Sequence, residues 1–246
     1  MDPARREIGW WDDWNTRYRS GPADPASVSG ELGQIVHGAV CALGYASPRV
    51  VEVGCGTGRF AETLTDVQDY LGLDLSPAAI ASARERVPWG RFEAADFHEW
   101  TLPDQPFDVA ILVDSIAYFR SQDQAVAKLF DLLRPGGHLV LSTVNPFVYG
   151  RTSWVGPPGD GQVRRWLSRR DLEQLLVRHR FVMCRYFTVM PAGDRGILRL
   201  VNSAKLNTVA SQVMPTSWLR KMKEAAGLGQ YQIAIAQRPD ARPPRS

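Results

Sequence analysis

The sequence predicts an α/β fold in which a parallel β-sheet is covered by helices on both faces. Three observations carry it. Between residues 48 and 189, strand-like and helix-like segments alternate with short turns, the pattern of parallel strands joined by crossover helices. The run Val109-Ala110-Ile111-Leu112-Val113 is wholly apolar, as a strand buried on both faces must be. Val50-Val51-Glu52-Val53 leads into Gly54, Gly56 and Gly58 at alternating positions. In such a turn the backbone can take φ > 0 and approach a ligand without Cβ obstruction.

Taken in order, residues 8–20 predict a helix on which Trp10, Trp14 and Tyr18 recur every fourth residue, giving one aromatic face. That face either packs on the domain or closes as a lid over a ligand, since aromatic rings combine large area with a polar tip. Residues 20–25, rich in Gly and Pro, break it, and a helix over 29–43 ends at Gly44. Strand 50–53, a helix at 59–64 and strand 70–74 follow. Ser76-Pro77 then opens a helix through residue 86, with proline in its first turn. Strand 91–95 ends at Asp96, strand 107–113 precedes a helix at 122–133, and Arg134-Pro135-Gly136-Gly137 introduces strand 138–143. A helix at 168–178 and strands at 181–189 and 231–237 complete the pattern.

Two segments interrupt the rhythm. Residues 146–161 form a Gly/Pro-rich loop bearing Phe147, Tyr149, Arg151 and Trp154, and long loops in compact domains are often functional. Residues 191–229 place Ile197, Leu200, Val201, Ala204, Val209 and Val213 at amphipathic spacing, followed by a basic helix at 218–226. This insertion reads as a helical cap, contact of its apolar face with a membrane surface being the alternative. The predicted organisation is an N-terminal helical lid region (1–46), a core (47–190), the cap (191–229), the last strand (230–238) and a disordered tail (239–246).

Composition sets the class. A chain of 246 residues with 44% apolar and 22% charged residues is ordinary for a globular domain with appendages. Net charge is +3, too small for the electrostatic footprint of a nucleic-acid binder. Cys41, Cys55 and Cys184 form no CxxC pair or Cys/His cluster, so neither a disulfide framework nor a zinc site is legible. A cytoplasmic location is expected. No apolar h-region follows the N-terminus, and no apolar run approaches the ~20 residues of a transmembrane helix.

The chemistry lies in three acids. Glu52 sits near the end of the first strand, Asp74 ends the second and Asp96 the third. In an open parallel sheet these ends share the edge where ligands bind. An acid at the second end is placed to accept from two ribose hydroxyls, and one at the third from an adenine amino group.

This set resembles the class I S-adenosylmethionine-dependent methyltransferases. The resemblance runs through Glu52-Val53-Gly54-Cys55-Gly56-Thr57-Gly58, Gly72-Leu73-Asp74-Leu75-Ser76, Ala95-Asp96-Phe97, Phe107-Asp108-Val109 and Leu133-Arg134-Pro135-Gly136-Gly137-His138-Leu139. It implies a Rossmann-like, seven-stranded, mainly parallel sheet whose last strand, 231–237, is antiparallel. It implies S-adenosyl-L-methionine as methyl donor, S-adenosyl-L-homocysteine as product, and no metal. Gly54, Gly56 and Gly58 would let the backbone approach the amino-acid end of the donor, with Glu52 as the preceding acid. Asp74 would bind the ribose, Leu75 cover the adenine, and Asp96 meet the adenine amino group with the Phe97 N–H nearby. Asp114 would lie close to the methionyl group. Glu52 also reads as a turn acid and Leu75 as core. A nicotinamide-dependent oxidoreductase is the rival, but its fingerprint needs glycine at the sixth position, where this chain has Arg59.

DNA amino-methylases are similar to one another in an Asn/Asp-Pro-Pro-aromatic sequence after the fourth strand; this chain has Asp114-Ser115-Ile116-Ala117-Tyr118-Phe119. The expected acceptor is therefore an O or N atom of a small metabolite: a natural product, quinone, sugar or lipid. A C-acceptor and a non-catalytic binding module are the alternatives. No residue declares itself a general base; His98 and Tyr118 are the candidates, although His98 reads more readily as a surface-loop histidine. Trp14, Tyr18, Tyr118, Asn145, Tyr149 and Arg151 are the acceptor-side candidates. The oligomeric state is left open, a homodimer being one option.

Overall fold

The computed structural model describes residues 3–18, 28–64, 67–152 and 162–240, with the backbone alone for 3–5, 17, 18 and 28. Its strands are β1 (Arg49–Val53), β2 (Asp69–Asp74), β3 (Arg91–Ala94), β4 (Phe107–Val113), β5 (Leu133–Val144), β6 (Val182–Pro191) and β7 (Gly229–Gln237). They form one seven-stranded sheet in the order β3-β2-β1-β4-β5-β7-β6. The first five pair in parallel, and β7 runs antiparallel to both β5 and β6. The Rossmann-like sheet with its antiparallel last strand is thus present.

The helices are α1 (Pro3–Tyr18), α2 (Val28–Cys41), α3 (Pro77–Arg86), α4 (Gln122–Leu132), α5 (Pro146–Tyr149), α6 (Arg169–Arg178), α7 (Gly196–Val201), α8 (Ala204–Ser211) and α9 (Thr216–Ala225). Side-chain alternation along β4 explains the two cores. Val109 and Ile111 pack into one apolar cluster with Val36, Val40 and Ile80 from α2 and α3. Ala110 and Leu112 join the other, with Leu129 of α4 and Leu172 and Leu176 of α6. Successive residues of a strand face opposite sides, so the four consecutive apolar residues Val109 to Leu112 serve both cores.

Caps set the helix starts as the sequence indicates. The Ser76 hydroxyl accepts from the Ala79 N–H, with Pro77 in the first turn, and Ser168 with Asp171 forms a capping box at α6.

Three expectations change. The helix at 59–64 is only a 3-10 turn at Ala61–Thr63 with no side-chain cap. There the Thr63 hydroxyl donates to the Phe60 carbonyl at 2.8 Å, a local bond that competes with helical pairing. Pro135-Gly136-Gly137 lies inside β5, across a register shift against β4. The cap's amphipathic segment is two helices, interrupted at Asn202-Ser203, where Ser203 caps α8. The breaker at 20–25, the side chain of Tyr18, Trp154 and the tail from 241 lie outside the described residues.

Candidate functional site

Above the C-terminal ends of β1 to β4 lies a cavity of about 490 Å³. The loops after these strands form its floor and α1 forms its roof. The floor begins with the glycine turn. Gly54 and Cys55 both donate their N–H to the Leu73 carbonyl, at 2.8 and 3.0 Å, so the loop is tied to β2. Gly54, Gly56 and Gly58 all have positive φ, yet they do different things. A Cβ on Gly54 would stand 2.5 Å from the Ser115 Cβ, and one on Gly58 would stand 3.2 Å from the Ala83 Cα and Cβ in α3. A Cβ on Gly56 would meet only the Asn15 Oδ1, at 3.7 Å. Gly54 and Gly56 line the cavity, whereas Gly58 is not among the lining residues and a side chain there would press on α3.

Asp74 holds the next position. Its Oδ2 accepts from the Gly56 N–H at 2.8 Å and its Oδ1 from the Ser76 N–H at 2.9 Å. A carboxylate offers about four acceptor positions, so capacity for a ligand hydroxyl is left beside these N–H groups. Burial lifts its carboxyl above the usual value, with hydrogen bonds from the Ser76, Gly56 and Leu75 N–H groups pulling the other way. Glu52 is almost wholly buried and accepts from the Tyr70 hydroxyl. Desolvation pushes it up to about 8, so it is largely protonated near neutral pH. Leu75 and Phe97 also line the cavity.

At the β3 end, Asp96 accepts from the His98 N–H at 3.0 Å and pairs with the Arg120 guanidinium. Arg120, which sequence reasoning did not single out, is a cavity residue, as is Glu7 of α1. Burial raises the Glu7 carboxyl, opposed by the charge of Arg120. His98 lines the cavity, edge-on to Phe119 at 5.7 Å. Its Nε2 is buried with no hydrogen-bond partner among the described residues. Burial lowers its pKa, keeping the ring neutral at pH 7.

After β4, Asp114 takes a left-handed conformation (φ 52°) and its N–H is shared by the Ser142 carbonyl and hydroxyl; Asp is among the residues that tolerate this region. Ser115 donates to the Val53 carbonyl at 2.9 Å. Tyr118 packs edge-on against Trp11, their centroids 5.0 Å apart. Trp10 stacks on Trp14, and Trp11 stands edge-on to both. All three indoles line the cavity. The aromatic stripe read as Trp10, Trp14 and Tyr18 therefore missed Trp11, one position off it.

Three acceptor-side candidates fall elsewhere. The Asn145 amide accepts from the Phe147 N–H and donates to the Gly227 and Gly229 carbonyls, so it caps α5 and anchors the start of β7. Tyr149 stands behind Tyr231, with their hydroxyls 3.1 Å apart. Arg151 lies over the Phe147 ring. None of them lines the cavity; Tyr231 does. That residue was legible in principle, because a strand antiparallel to its neighbours starts at the edge where they end.

Residues 50–137 match the methyltransferase domain family. A trans-aconitate 2-methyltransferase of Variovorax paradoxus is 38% identical over 96 residues, 38% of this chain and 37% of the relative. A fatty-acid O-methyltransferase of Mycolicibacterium smegmatis is 29% identical over 163 residues, 63% of this chain and 59% of the relative. Each match thus spans less than two thirds of the relative's length. The fold is shared with the cyclase SpnF at 18% identity and a TM-score of 0.67, covering 97% of each chain.

Proposed function

We propose, from the premise that residues 50–137 are a domain of the class I S-adenosylmethionine-dependent methyltransferases, that the whole chain is a methyltransferase for small molecules. One observation carries this reading: a single cavity gathers the glycine turn, Asp74 and Asp96 on its floor and an aromatic wall from α1 on its roof. When bound, S-adenosylmethionine supplies an electrophilic methyl on a sulfonium that departs as a neutral thioether.

The chain's own residues supply position and exclusion of water. Asp74 would take the ribose hydroxyls on its remaining lone pairs, held rigid by Gly56 and Ser76. Gly56 would allow the backbone to approach the amino-acid end, and Asp96 with Phe97 and Leu75 would receive the adenine. Alignment of acceptor and methyl for in-line displacement falls to Trp11, Trp14, Tyr118 and Tyr231, whose rings close the other side.

Such a wall suits an apolar or ring-bearing acceptor, and the cavity also holds Arg59 and Arg120. The acceptor that fits best is an apolar carboxylic acid methylated on oxygen. A carboxylate is ionised at neutral pH and needs no general base, in keeping with a site that shows no committed one. The names of the two relatives, an aconitate and a fatty-acid methyltransferase, both contain a carboxylic acid, the second an apolar one. The second reading is an N–H or O–H acceptor, for which the neutral, partnerless His98 Nε2 would take the proton. A binding module without methyl transfer is the remaining alternative, since fold alone does not dictate activity.

Calorimetry with S-adenosylmethionine and S-adenosylhomocysteine tests the site. Asp74→Ala removes a charged acceptor worth about 1.5–3 kcal/mol, which is about a ten- to hundredfold loss of affinity. Undiminished binding by this variant would sink the reading. A methyl-transfer assay on aliphatic and aromatic acids then separates enzyme from module.

A further inference from the structure

We propose that α7, α8 and α9 form a docking face for anionic phospholipid surfaces. The argument starts from where the chain leaves apolar surface uncovered. Twelve large apolar side chains stand exposed among the described residues, and seven lie in these helices or the turn after α8: Ile197, Leu200, Leu206, Val209, Val213, Trp218 and Met222. Val213 is 84% exposed and Trp218 65%. Neither α8 nor α9 has a buried residue. Clustered exposed apolar groups on a globular protein mark an interaction surface.

The spacing is that of helix faces. Leu206 and Val209 are three residues apart on α8, as are Ile197 and Leu200 on α7, and Trp218 and Met222 are four apart on α9. The opposite side of α9 is fixed to the sheet: Thr188 donates to the Glu224 carbonyl at 2.6 Å and the Met190 N–H to its carboxylate at 3.1 Å. Lys223 ties α9 to Asn202 and Asn207, at 3.2 and 3.0 Å. The three helices are thus one platform on which exposed apolar side chains stand among exposed basic ones such as Lys205 and Lys221.

Charge selects the occupant. Residues 191–229 carry Arg195, Arg199, Lys205, Arg220, Lys221 and Lys223 against Asp194 and Glu224, a net charge of +4, so the other residues of a +3 chain are net −1. Charge that looks dispersed over the whole sequence is concentrated here. Basic residues beside an apolar face, with a tryptophan among them, are the composition of interfacial helices. Lys223 faces inward and Arg220 pairs with Glu31 and Glu224. Arg199, Lys205 and Lys221 still keep the segment net positive, so a second copy of the chain would set like charges against each other. β6 ends and β7 begins at the cavity edge, so docking would bring that edge to the lipid. Among the described residues no helix is long and apolar enough to cross a membrane, which leaves docking in the plane of the surface.

Docking stands apart from methyl transfer, because vesicle binding is read without donor or acceptor. The test is co-sedimentation of the full chain with phosphatidylcholine vesicles, with and without phosphatidylglycerol. Binding should rise at least about tenfold with the anionic lipid and fall as salt is added. Val213→Ser with Trp218→Ser, both exposed, should lower it about tenfold without moving the melting temperature. Arg199→Glu with Lys221→Glu should abolish the preference for phosphatidylglycerol. Absence of vesicle binding, variants that bind like the parent, or a dimer in analytical ultracentrifugation that Val213→Ser with Trp218→Ser dissociates would each overturn the proposal.

Discussion

Gly58 and Gly56 belong to one turn, and the structure assigns them opposite consequences on substitution. Gly58 has φ +76° and a Cβ there would stand 3.2 Å from the Cα and Cβ of Ala83. Those atoms belong to a packed helix rather than to a flexible side-chain tip. Forcing an L-residue into the left-handed region costs about 1–2 kcal/mol, and overpacking adds about 1–3 kcal/mol. The reduced entropy of the unfolded chain returns about 0.4–1 kcal/mol. Gly58→Ala should therefore destabilise by about 3 kcal/mol, a fall in melting temperature of about 6–12 °C for a chain of this size. Gly56 has φ +52° with only Asn15 Oδ1 nearby, at 3.7 Å. Gly56→Ala should cost about 1 kcal/mol of stability but, facing the cavity, should weaken S-adenosylmethionine binding at least tenfold. Thermal melts and calorimetry on both variants decide it. Equal melting shifts, or a Gly58→Ala protein that melts normally yet fails to bind the donor, would refute the division of labour.

Glu52 makes stability fall as pH rises. Its carboxyl is near 8 when folded against an ordinary 4.5, so its contribution is whole below 4.5 and is lost through 8. That shift corresponds to an upper bound of about 5 kcal/mol, and Glu52→Gln should flatten urea-derived stability across this window; an unchanged slope would exclude Glu52 as its source. Asp12→Ala removes an acceptor for the Ser76 hydroxyl and the Ala78 N–H, costing about 1 kcal/mol. It should speed proteolysis within α1 while leaving the core's melting nearly unchanged, and cleavage at the parent rate would reject α1 as a separable roof. His98→Ala should leave methylation of a carboxylic acid within about threefold but slow an N–H or O–H acceptor by about 10² or more; an equal effect on both acceptor types would remove His98 as proton acceptor.

The fold was legible because its central strands are buried on both faces, and burial leaves a composition that turns cannot share. The acids were legible for a topological reason: parallel strands end at one edge, so Asp74 and Asp96 had to meet a common cavity. What lay beyond the sequence depended on contacts between distant segments. Trp11 is one residue off the aromatic stripe, and only its contact with Tyr118 identifies it as part of the wall. Asn145 looked like a cavity residue because it follows β5, yet its amide is engaged by the carbonyls of Gly227 and Gly229, 82 and 84 positions later. Arg120 sits on no motif, and its pairing with Asp96 is a product of the loop after β4 folding back over β3.

These contacts also link floor and roof. The Gly56 N–H donates to Asp74 Oδ2, Asp74 Oδ1 accepts from the Ser76 N–H, and the Ser76 hydroxyl donates to Asp12 of α1. A glycine turn, the acid that ends β2, a helix cap and the aromatic helix are thus consecutive members of one hydrogen-bonded chain. Its members are separated in sequence by as many as 64 positions, which is why no local pattern displays it. A ligand that engages the free lone pairs of Asp74 necessarily touches this chain at its centre. Ordering of α1 and binding of a ligand at Asp74 therefore share one set of hydrogen bonds, and each should favour the other by the same factor.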